Sequence, residues 1–340
     1  MKFEGKTIIP NNSDRTWQPK ALKLAQTGEL EERARILRER LTPCHICPHA
    51  CGVNRRNGEI GRCGVGPLAR ISSICDHRGE EPVLVGENGA GTVFVAGCNL
   101  KCIYCQNSQI SQGTLDKYPE YSTSELADAF LSLQERGCHN LDWVSPMHVV
   151  PQLVDALVLA ISRGLHLPIV YNTNGYDSIE TLQLLDGIVD IYLPDLKYAD
   201  PKNSVAFSSA PDYPEIALAA INEMYRQVGD LTLDEHDLAR SGIIVRHLVL
   251  PNNLAGTREI LYRLANEVSP SITVSLMAQY YPTHRAAEIP ALSRTITADE
   301  YDDALDAFAD AGLENGWAQE MLESQQAYRP DFEKEHPFNY

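Results

Sequence analysis

The sequence lacks long hydrophobic runs and is short of basic residues. No stretch approaches the roughly 18–20 apolar residues that cross a bilayer, and residues 1–14 are polar, unlike a secretory signal. These absences predict a cytoplasmic chain without a membrane partner. Lysine and arginine total 29 against 46 aspartates and glutamates, a net charge of −17. Because so acidic a surface repels phosphate backbones, we also expect no nucleic-acid partner.

The cysteines are odd in number and grouped, which disfavours a disulfide framework. The nine lie at positions 44, 47, 51, 63, 75, 98, 102, 105 and 138. In a cytoplasmic chain thiols stay reduced, so grouped cysteines are expected to bind metals. Cys75 and Cys138 stand alone, and an isolated intracellular cysteine is usually a small buried apolar side chain.

The central motif is the C-x3-C-x2-C run of Cys98, Cys102 and Cys105. It follows the apolar segment 92–96 (TVFVA), which predicts a buried strand with the cysteines in the loop at its carboxyl end. In a parallel α/β barrel that end carries the chemistry. Three thiolates can hold three corners of a cubane iron–sulfur cluster and leave the fourth iron open to a small molecule. A zinc site would need a fourth ligand nearby.

A second cysteine group, with C-x2-C-x3-C-x11-C spacing, lies in a glycine-rich segment over residues 44–63. Its members are Cys44, Cys47, Cys51 and Cys63. The spacing predicts a four-thiolate knuckle whose metal supplies folding energy that so small a segment lacks. Zinc is the simplest occupant and a second iron–sulfur cluster is the rival, with His45 or His49 able to replace one thiolate. Packing without a metal is the third interpretation.

From residue 92 onward, predicted strands and helices alternate. The strands cover about 92–97, 140–145, 168–172, 188–193, 242–249 and 271–276, and the helices about 123–136, 149–163, 178–186, 213–228, 256–267 and 298–311. Strict alternation predicts a parallel sheet with right-handed crossovers. The fold class is therefore α/β, an open partial (β/α)6 barrel related to the TIM barrel, with a cysteine-rich N-terminal extension.

Three parts are expected along the chain. Residues 1–90 form the extension, with a helix over 21–40 that is continuous or broken near Gly28. Within it, the polar connector 70–91 either lines the site or forms a surface turn. Residues 91–315 form the barrel. Residues 316–340 form an acidic, aromatic tail that covers one barrel end.

Polar residues follow the predicted strands, and packing alone does not explain this repeated placement. The candidates at or near strand ends are Ser145, Asn172, Asn174, Asp195, Lys197, Arg246, His247 and Met277. For any one of them, an ordinary loop hydrogen bond is the alternative.

The cysteine loop, with Tyr104 at its aromatic position, resembles the C-x3-C-x-φ-C signature of the radical S-adenosylmethionine superfamily. The resemblance implies a [4Fe-4S] cluster whose open iron is chelated by the amino and carboxylate groups of S-adenosylmethionine. One electron then cleaves the sulfonium, and the resulting 5′-deoxyadenosyl radical takes a hydrogen atom from the substrate. The implied partners are S-adenosylmethionine and an electron donor such as flavodoxin or ferredoxin.

This ligand has chemical needs that the strand ends match. The carboxylate of S-adenosylmethionine needs a cation as its partner, which Lys197 or Arg246 can supply. Its ribose hydroxyls need hydrogen-bond acceptors, for which Asn172, Asn174 and Asp195 are candidates.

The apolar parts of the site have candidates as well. The adenine ring needs an apolar or aromatic wall, which Tyr104 and Met277 can form. His247 is expected to line the substrate cavity.

Four segments, CNLKCIYCQN, YNTNGY, DIYLPDLKY and VRHLVLP, resemble the branch that contains pyruvate formate-lyase activating enzyme and uncharacterised relatives. In that branch, the first aspartate of a D-T-N-G motif and the aspartate of a D-x-K motif together frame a monovalent cation. In this chain Asn172 stands in place of the first aspartate, so the cation site loses one negative charge. The G-G-E motif that holds the ammonium group is replaced by Ser145-Pro146-Met147, which leaves the Ser145 hydroxyl or a backbone carbonyl as acceptor.

The resulting hypothesis is an oxidoreductase of the activating-enzyme type that abstracts hydrogen from a protein or peptide, such as a glycyl residue of another protein. A small-molecule substrate is the enzymatic alternative. A non-catalytic iron–sulfur electron carrier is the alternative of another class, although a carrier needs four ligands per cluster and no polar strand ends.

Overall fold

The alternating segments form an open barrel in the computed structural model, which describes residues 17–321, 329–334 and 336–338. The predicted partial (β/α)6 barrel is confirmed. The described strands are β1 (Ala69–His77), β2 (Ala90–Val95), β3 (Glu120–Tyr121), β4 (Leu141–Val144), β5 (Ile169–Thr173), β6 (Ile191–Pro194), β7 (Thr232–Leu233), β8 (Ala239–Leu248), β9 (Thr273–Met277) and β10 (Asn315–Ala318). The described helices are α1 (Lys20–Thr27), α2 (Glu29–Glu39), α3 (Pro82–Val85), α4 (Ser108–Ser111), α5 (Thr123–Glu135), α6 (Val150–Ser162), α7 (Ile179–Gln183), α8 (Pro201–Ser208), α9 (Tyr213–Val228), α10 (Thr257–Arg263) and α11 (Ala298–Asp310).

The barrel strands run parallel in the order β2-β4-β5-β6-β8-β9, and each corresponds to a predicted strand. A further parallel strand, β10, pairs with β9 beyond the sixth unit. It has only four residues, too few for a periodic pattern to reveal it. No helix in the described ranges is long and apolar enough to cross a membrane.

The connector predicted over 70–91 begins with a strand. β1 pairs antiparallel with β2, with Cys75 opposite Thr92, and its side chains alternate between buried and half-buried. The period-two pattern of Ile71, Ser73 and Cys75 was the available signal, but polar residues on both faces obscured it. Because β1 runs against the barrel strands, it delivers residues 78–81 to the amino end of β2, below the mouth of the barrel.

The segment predicted as one or two helices over 21–40 is two helices. Gly28 separates α1 from α2 in a left-handed conformation, φ 77°, that favours glycine. The buried side of α2, with Leu30, Ala34 and Leu37, packs against α6.

Candidate active site

A cavity of about 410 Å³ opens at the carboxyl ends of the barrel strands. All three cysteines of the central motif line it, and so does Tyr104. The other predicted residues in its wall are Ser145, Asn172, Asn174, Asp195, Lys197, Arg246 and Met277. The parallel strands thus bring to one mouth side chains that are distant in sequence.

Each thiol of the cysteine loop has a polar neighbour from another part of the chain. The pairs are Asn174 Nδ2 with Cys98 Sγ at 3.5 Å, Ser208 Oγ with Cys102 Sγ at 3.0 Å, and Ser111 Oγ with Cys105 Sγ at 3.3 Å. Hydrogen bonds of this kind stabilise thiolates and adjust the properties of a cluster they ligate. Neither serine was predicted from the sequence, because Ser208 ends α8, a helix that was not expected, and Ser111 lies on the short α4.

Without a metal, the thiols of Cys102 and Cys105 favour their protonated forms. Burial raises the pKa of the Cys105 thiol to about 12. Burial also raises the pKa of Cys102, although the Lys197 ammonium and the Ser208 hydroxyl oppose that shift. A metal that binds here must therefore displace protons from both sulfurs.

The floor of the cavity is a charged network centred on the Arg246 guanidinium. Its Nε donates to Asp195 Oδ1 at 2.8 Å, its Nη1 to Glu80 Oε1 at 3.1 Å and its Nη2 to Asn172 Oδ1 at 2.6 Å. Asn172 Nδ2 in turn donates to Glu80 Oε2 at 2.9 Å, and Lys197 Nζ donates to Asp195 Oδ2 at 2.6 Å. Although burial opposes it, the two cations hold the pKa of Asp195 below its ordinary value.

Arg246 links the two residues that, by resemblance, were expected to frame a monovalent cation. As expected from the sequence, Asn172 brings no charge to that place. A guanidinium bridges Asn172 and Asp195, so the chain itself supplies a cation there. The amide of Asn172 is engaged with the chain at both its oxygen and its nitrogen, and its contact with ribose hydroxyls stays a prediction.

Asn174 and Tyr104 also have contacts within the chain. Besides Cys98, the Asn174 amide nitrogen donates to Asn99 Oδ1 at 2.8 Å, and its oxygen accepts from Tyr176 N at 3.0 Å. The Tyr104 ring packs edge-on against Tyr198 and Tyr280, with centroids 6.2 and 5.9 Å away. Asn174 thus orders the cysteine loop, and Tyr104 anchors it in an aromatic cluster.

His247 lies outside the cavity, so the expectation that it lines the substrate space is wrong. Its ring nitrogens contact Leu196 O at 2.7 Å and Thr257 Oγ1 at 3.0 Å, and the side chain is fully buried. Successive strand residues face opposite sides of a sheet. Since Arg246 faces inward, His247 must face the surrounding helices.

The connector and the tail contribute wall residues that the sequence analysis did not name. The connector contributes His77, Arg78, Gly79 and Glu80, and the tail contributes Pro330 and Phe338. The His77 ring stacks on Phe338 with centroids 3.9 Å apart. Of the two interpretations left open for the connector, the one that lines the site matches the structure.

Further carboxyl groups lie beneath the Arg246 network. Burial, and then the nearby Glu80 carboxylate, raise the pKa of Asp142 well above its ordinary value. Burial also raises the pKa of Glu81, which accepts hydrogen bonds from Ser275 Oγ at 3.1 Å and Trp317 Nε1 at 2.8 Å. The raised pKa of Asp142 favours its neutral form and so reduces the negative charge beneath Glu80.

The second cysteine segment lies directly against the central loop. His49 Nε2 contacts Asn99 O at 2.7 Å. Gly97 lets the backbone of the central loop approach that of the second segment, since a Cβ at position 97 would stand 2.6 Å from Cys63 O. Burial raises the pKa of Cys47 to about 12, and the other three thiols of the segment add to that shift. The four cysteines are therefore electrostatic neighbours.

Neither cysteine group converges on a single point. Within the described ranges, no set of three or more His, Cys, Asp and Glu side chains is placed to hold a metal ion. The expectation of zinc at residues 44–63 therefore has no support. A cubane is much wider than one ion, so thiolates spread around a cavity wall remain suited to it in chemistry and number.

An α/β barrel with a three-cysteine loop after its first parallel strand and a polar mouth defines a class of cluster-binding barrel proteins. Residues 92–238 match the family model described as the Radical SAM superfamily. The chain is 31% identical over 290 residues to the uncharacterized protein MJ0674 of Methanocaldococcus jannaschii, covering 84% of this chain and 80% of that one. The chain belongs to the Radical SAM superfamily.

Other similarities are weaker. The uncharacterized protein MJ0808 of the same organism is 23% identical over 268 residues, which cover 73% of each chain. Among solved structures, HydG, a maturase of the [FeFe]-hydrogenase, has a TM-score of 0.45 at 12% identity, covering 90% of this chain and 67% of its own. The methyltransferase TsrM of Kitasatospora setae has a TM-score of 0.41 at 13% identity, covering 64% of this chain and 44% of its own. Superfamily membership implies a [4Fe-4S] cluster, S-adenosylmethionine and radical chemistry.

Proposed function

We propose that this protein is an activating-type radical S-adenosylmethionine enzyme, an oxidoreductase that removes a hydrogen atom from a protein or peptide. In this proposal Cys98, Cys102 and Cys105 hold the cluster. The supporting observation is that each of these thiols lines the cavity and has its own polar partner from elsewhere in the chain. When bound, the cluster and S-adenosylmethionine supply a 5′-deoxyadenosyl radical after uptake of one electron.

The residues of the mouth then have distinct tasks. Lys197 engages one acceptor, Asp195, so its ammonium group keeps further N–H donors for the carboxylate of the cofactor. Arg246 is engaged with three acceptors and serves to hold Asp195. Ser145, whose backbone has φ 53°, offers a hydroxyl to the ammonium group. Met277 supplies part of the apolar wall for adenine.

The size of the cavity favours a large substrate over a small one. Pockets for drug-sized ligands occupy roughly 300–1,000 Å³, and the present cavity has about 410 Å³. S-adenosylmethionine alone is a ligand of that size, so it leaves little room for a second small molecule. A substrate that extends only one residue into the mouth fits this space better, which supports a protein or peptide.

Anaerobic reconstitution with iron and sulfide, followed by dithionite and S-adenosylmethionine, tests this function. We expect 5′-deoxyadenosine and methionine to form, and to require both dithionite and the cluster. A cluster that dithionite reduces without cleaving S-adenosylmethionine would instead identify an electron carrier. Electrons are expected to come from flavodoxin or ferredoxin in the cytoplasm.

Lys197→Gln is expected to weaken S-adenosylmethionine binding by roughly 10- to 100-fold, because a charge-assisted hydrogen bond contributes about 1.5–3 kcal/mol. Equilibrium titration of the reconstituted protein measures this effect. Lys202→Gln is the matched control, since Lys202 lies exposed on α8. Equal affinities of the two variants would exclude Lys197 as the carboxylate ligand.

For the second cysteine group, we propose a separate metal centre, with an iron–sulfur cluster favoured because zinc has no support. Cys44→Ala is expected to lower the metal content and to destabilise the N-terminal segment, while the central cluster stays in place. Metal analysis and limited proteolysis measure the two effects. A fully folded variant with unchanged metal content would contradict the proposal.

A further inference from the structure

Three cations surround the central cysteine loop on a chain whose net charge is −17. We call them the basic rim: Arg62, Lys101 and Arg285. Lys101 lies inside the loop, between Cys98 and Cys102. The rim therefore stands out as a local positive region at the mouth of an acidic protein.

Backbone contacts place the two arginines of the rim beside the cysteine segments. Arg285 N donates to Ile103 O, in the central loop, at 2.9 Å. Arg62 N contacts Cys51 Sγ, in the second segment, at 3.5 Å. The imidazole that joins the two segments, that of His49, lies within the electrostatic reach of both Arg62 and Lys101.

The charges of the rim are poorly compensated within the chain. Neither Arg62 nor Lys101 has an ion-pair partner in the part of the protein that the structure describes, and Arg62 Nε is buried there without a hydrogen-bond partner. Among the described residues, the one ion-pair partner of Arg285 is Glu288, at 3.8 Å. The carboxylate of Asp212, which accepts a hydrogen bond from Tyr176 Oη at 2.7 Å, is an acidic group near the same His49 imidazole and offsets part of this charge.

Arginines at the opposite end of the barrel differ in this respect. Arg136 and Arg163, which follow the carboxyl ends of α5 and α6, face Asp76 at 3.5 Å and Asp128 at 2.7 Å. The rim cations beside the loop of Cys98 and Cys102 thus differ from Arg136 and Arg163, each of which has a carboxylate partner.

We propose that the basic rim is the docking surface for an acidic redox protein of the flavodoxin class. This inference rests on the proposed function, which needs one electron at the cluster. An acidic partner is repelled by most of the chain and attracted at the rim, so charge complementarity brings it to the cysteine loop. In the transfer the donor is oxidised by one electron, and the sulfonium is reduced by that electron as its carbon–sulfur bond breaks.

The test compares two electron sources on full-length, reconstituted protein. Arg62→Glu combined with Arg285→Glu reverses two charges of the rim, and Arg136→Glu combined with Arg163→Glu makes the same change at the far end. Formation of 5′-deoxyadenosine is measured with reduced flavodoxin and, separately, with dithionite. Iron content and thermal unfolding are recorded for each variant.

We expect the rim variant to lose about 10-fold or more of the flavodoxin-driven rate at low salt. Its dithionite-driven rate should match the parent, and the far-end variant should match the parent with both donors. Raising the salt to about 1 M should bring the parent down toward the rim variant, because surface charges are then screened.

Three results would overturn the docking surface. They are an unchanged flavodoxin-driven rate in the rim variant, an equal loss in the far-end variant, and a loss of the dithionite-driven rate together with the flavodoxin-driven one. If the parent forms no 5′-deoxyadenosine even with dithionite, the proposed function itself fails. The choice of donor therefore separates the two failures.

Discussion

Replacing any one of Cys98, Cys102 and Cys105 by alanine is expected to abolish formation of 5′-deoxyadenosine. Each substitution leaves two thiolates for a cluster that the loop holds with three. The loss should exceed the roughly 10- to 100-fold effect of removing an outer partner of a metal ligand. Ser208→Ala, which removes the hydroxyl 3.0 Å from Cys102 Sγ, should fall in that smaller range.

Iron and sulfide content, the visible spectrum and 5′-deoxyadenosine yield measure this series after anaerobic reconstitution. Cys75→Ala and Cys138→Ala are the controls, because both residues are buried outside the cavity wall. The controls should keep iron and cleavage. A central-loop variant that retains both at the parental level would refute the assignment of the cluster to that loop.

The cysteine loop was predictable because its chemistry is local. Three cysteines within eight residues, after a strand whose apolar pattern is evident, need no long-range information. The strand-end residues were predictable for a related reason, since alternation of strands and helices places all carboxyl ends at one mouth. His247 shows where this reasoning fails. Neighbouring residues of a strand face opposite sides of the sheet. The sequence alone does not reveal which of two neighbours faces inward.

Glu80 shows a second limit. It reaches Arg246 across 166 positions of sequence, from a turn that β1 positions below the mouth. A polar connector carries no periodic signal for such a contact, so only the fold reveals it. The same holds for Ser208, which meets Cys102 across 106 positions. Apart from Ser111, which lies six positions from Cys105, these unpredicted parts of the site are contacts between distant segments.

Asn172 and Arg246 are best understood as a matched pair. Their hydrogen bond at 2.6 Å joins β5 to β8, and Glu80 bonds to both. A carboxylate at position 172 would be the third in this place, beside Glu80 and Asp195, where like charges destabilise one another. The amide instead accepts from the guanidinium and donates to Glu80. An amide at position 172 thus fits the charge balance of the floor.

Arg246→Met is accordingly expected to cost roughly 3 kcal/mol of the free energy of unfolding, because it leaves Asp195 and Glu80 without the cation between them. Urea unfolding measures the change as a lower midpoint with an unchanged slope.

Arg258→Met is the matched control: its pair with Asp310 is exposed and should contribute about 0–1 kcal/mol. Adding Glu80→Gln to Arg246→Met should restore part of the loss, since it removes one uncompensated carboxylate. If Arg246→Met proves no more harmful than the control, the guanidinium does not hold the floor together, and its hydrogen bonds are incidental to stability.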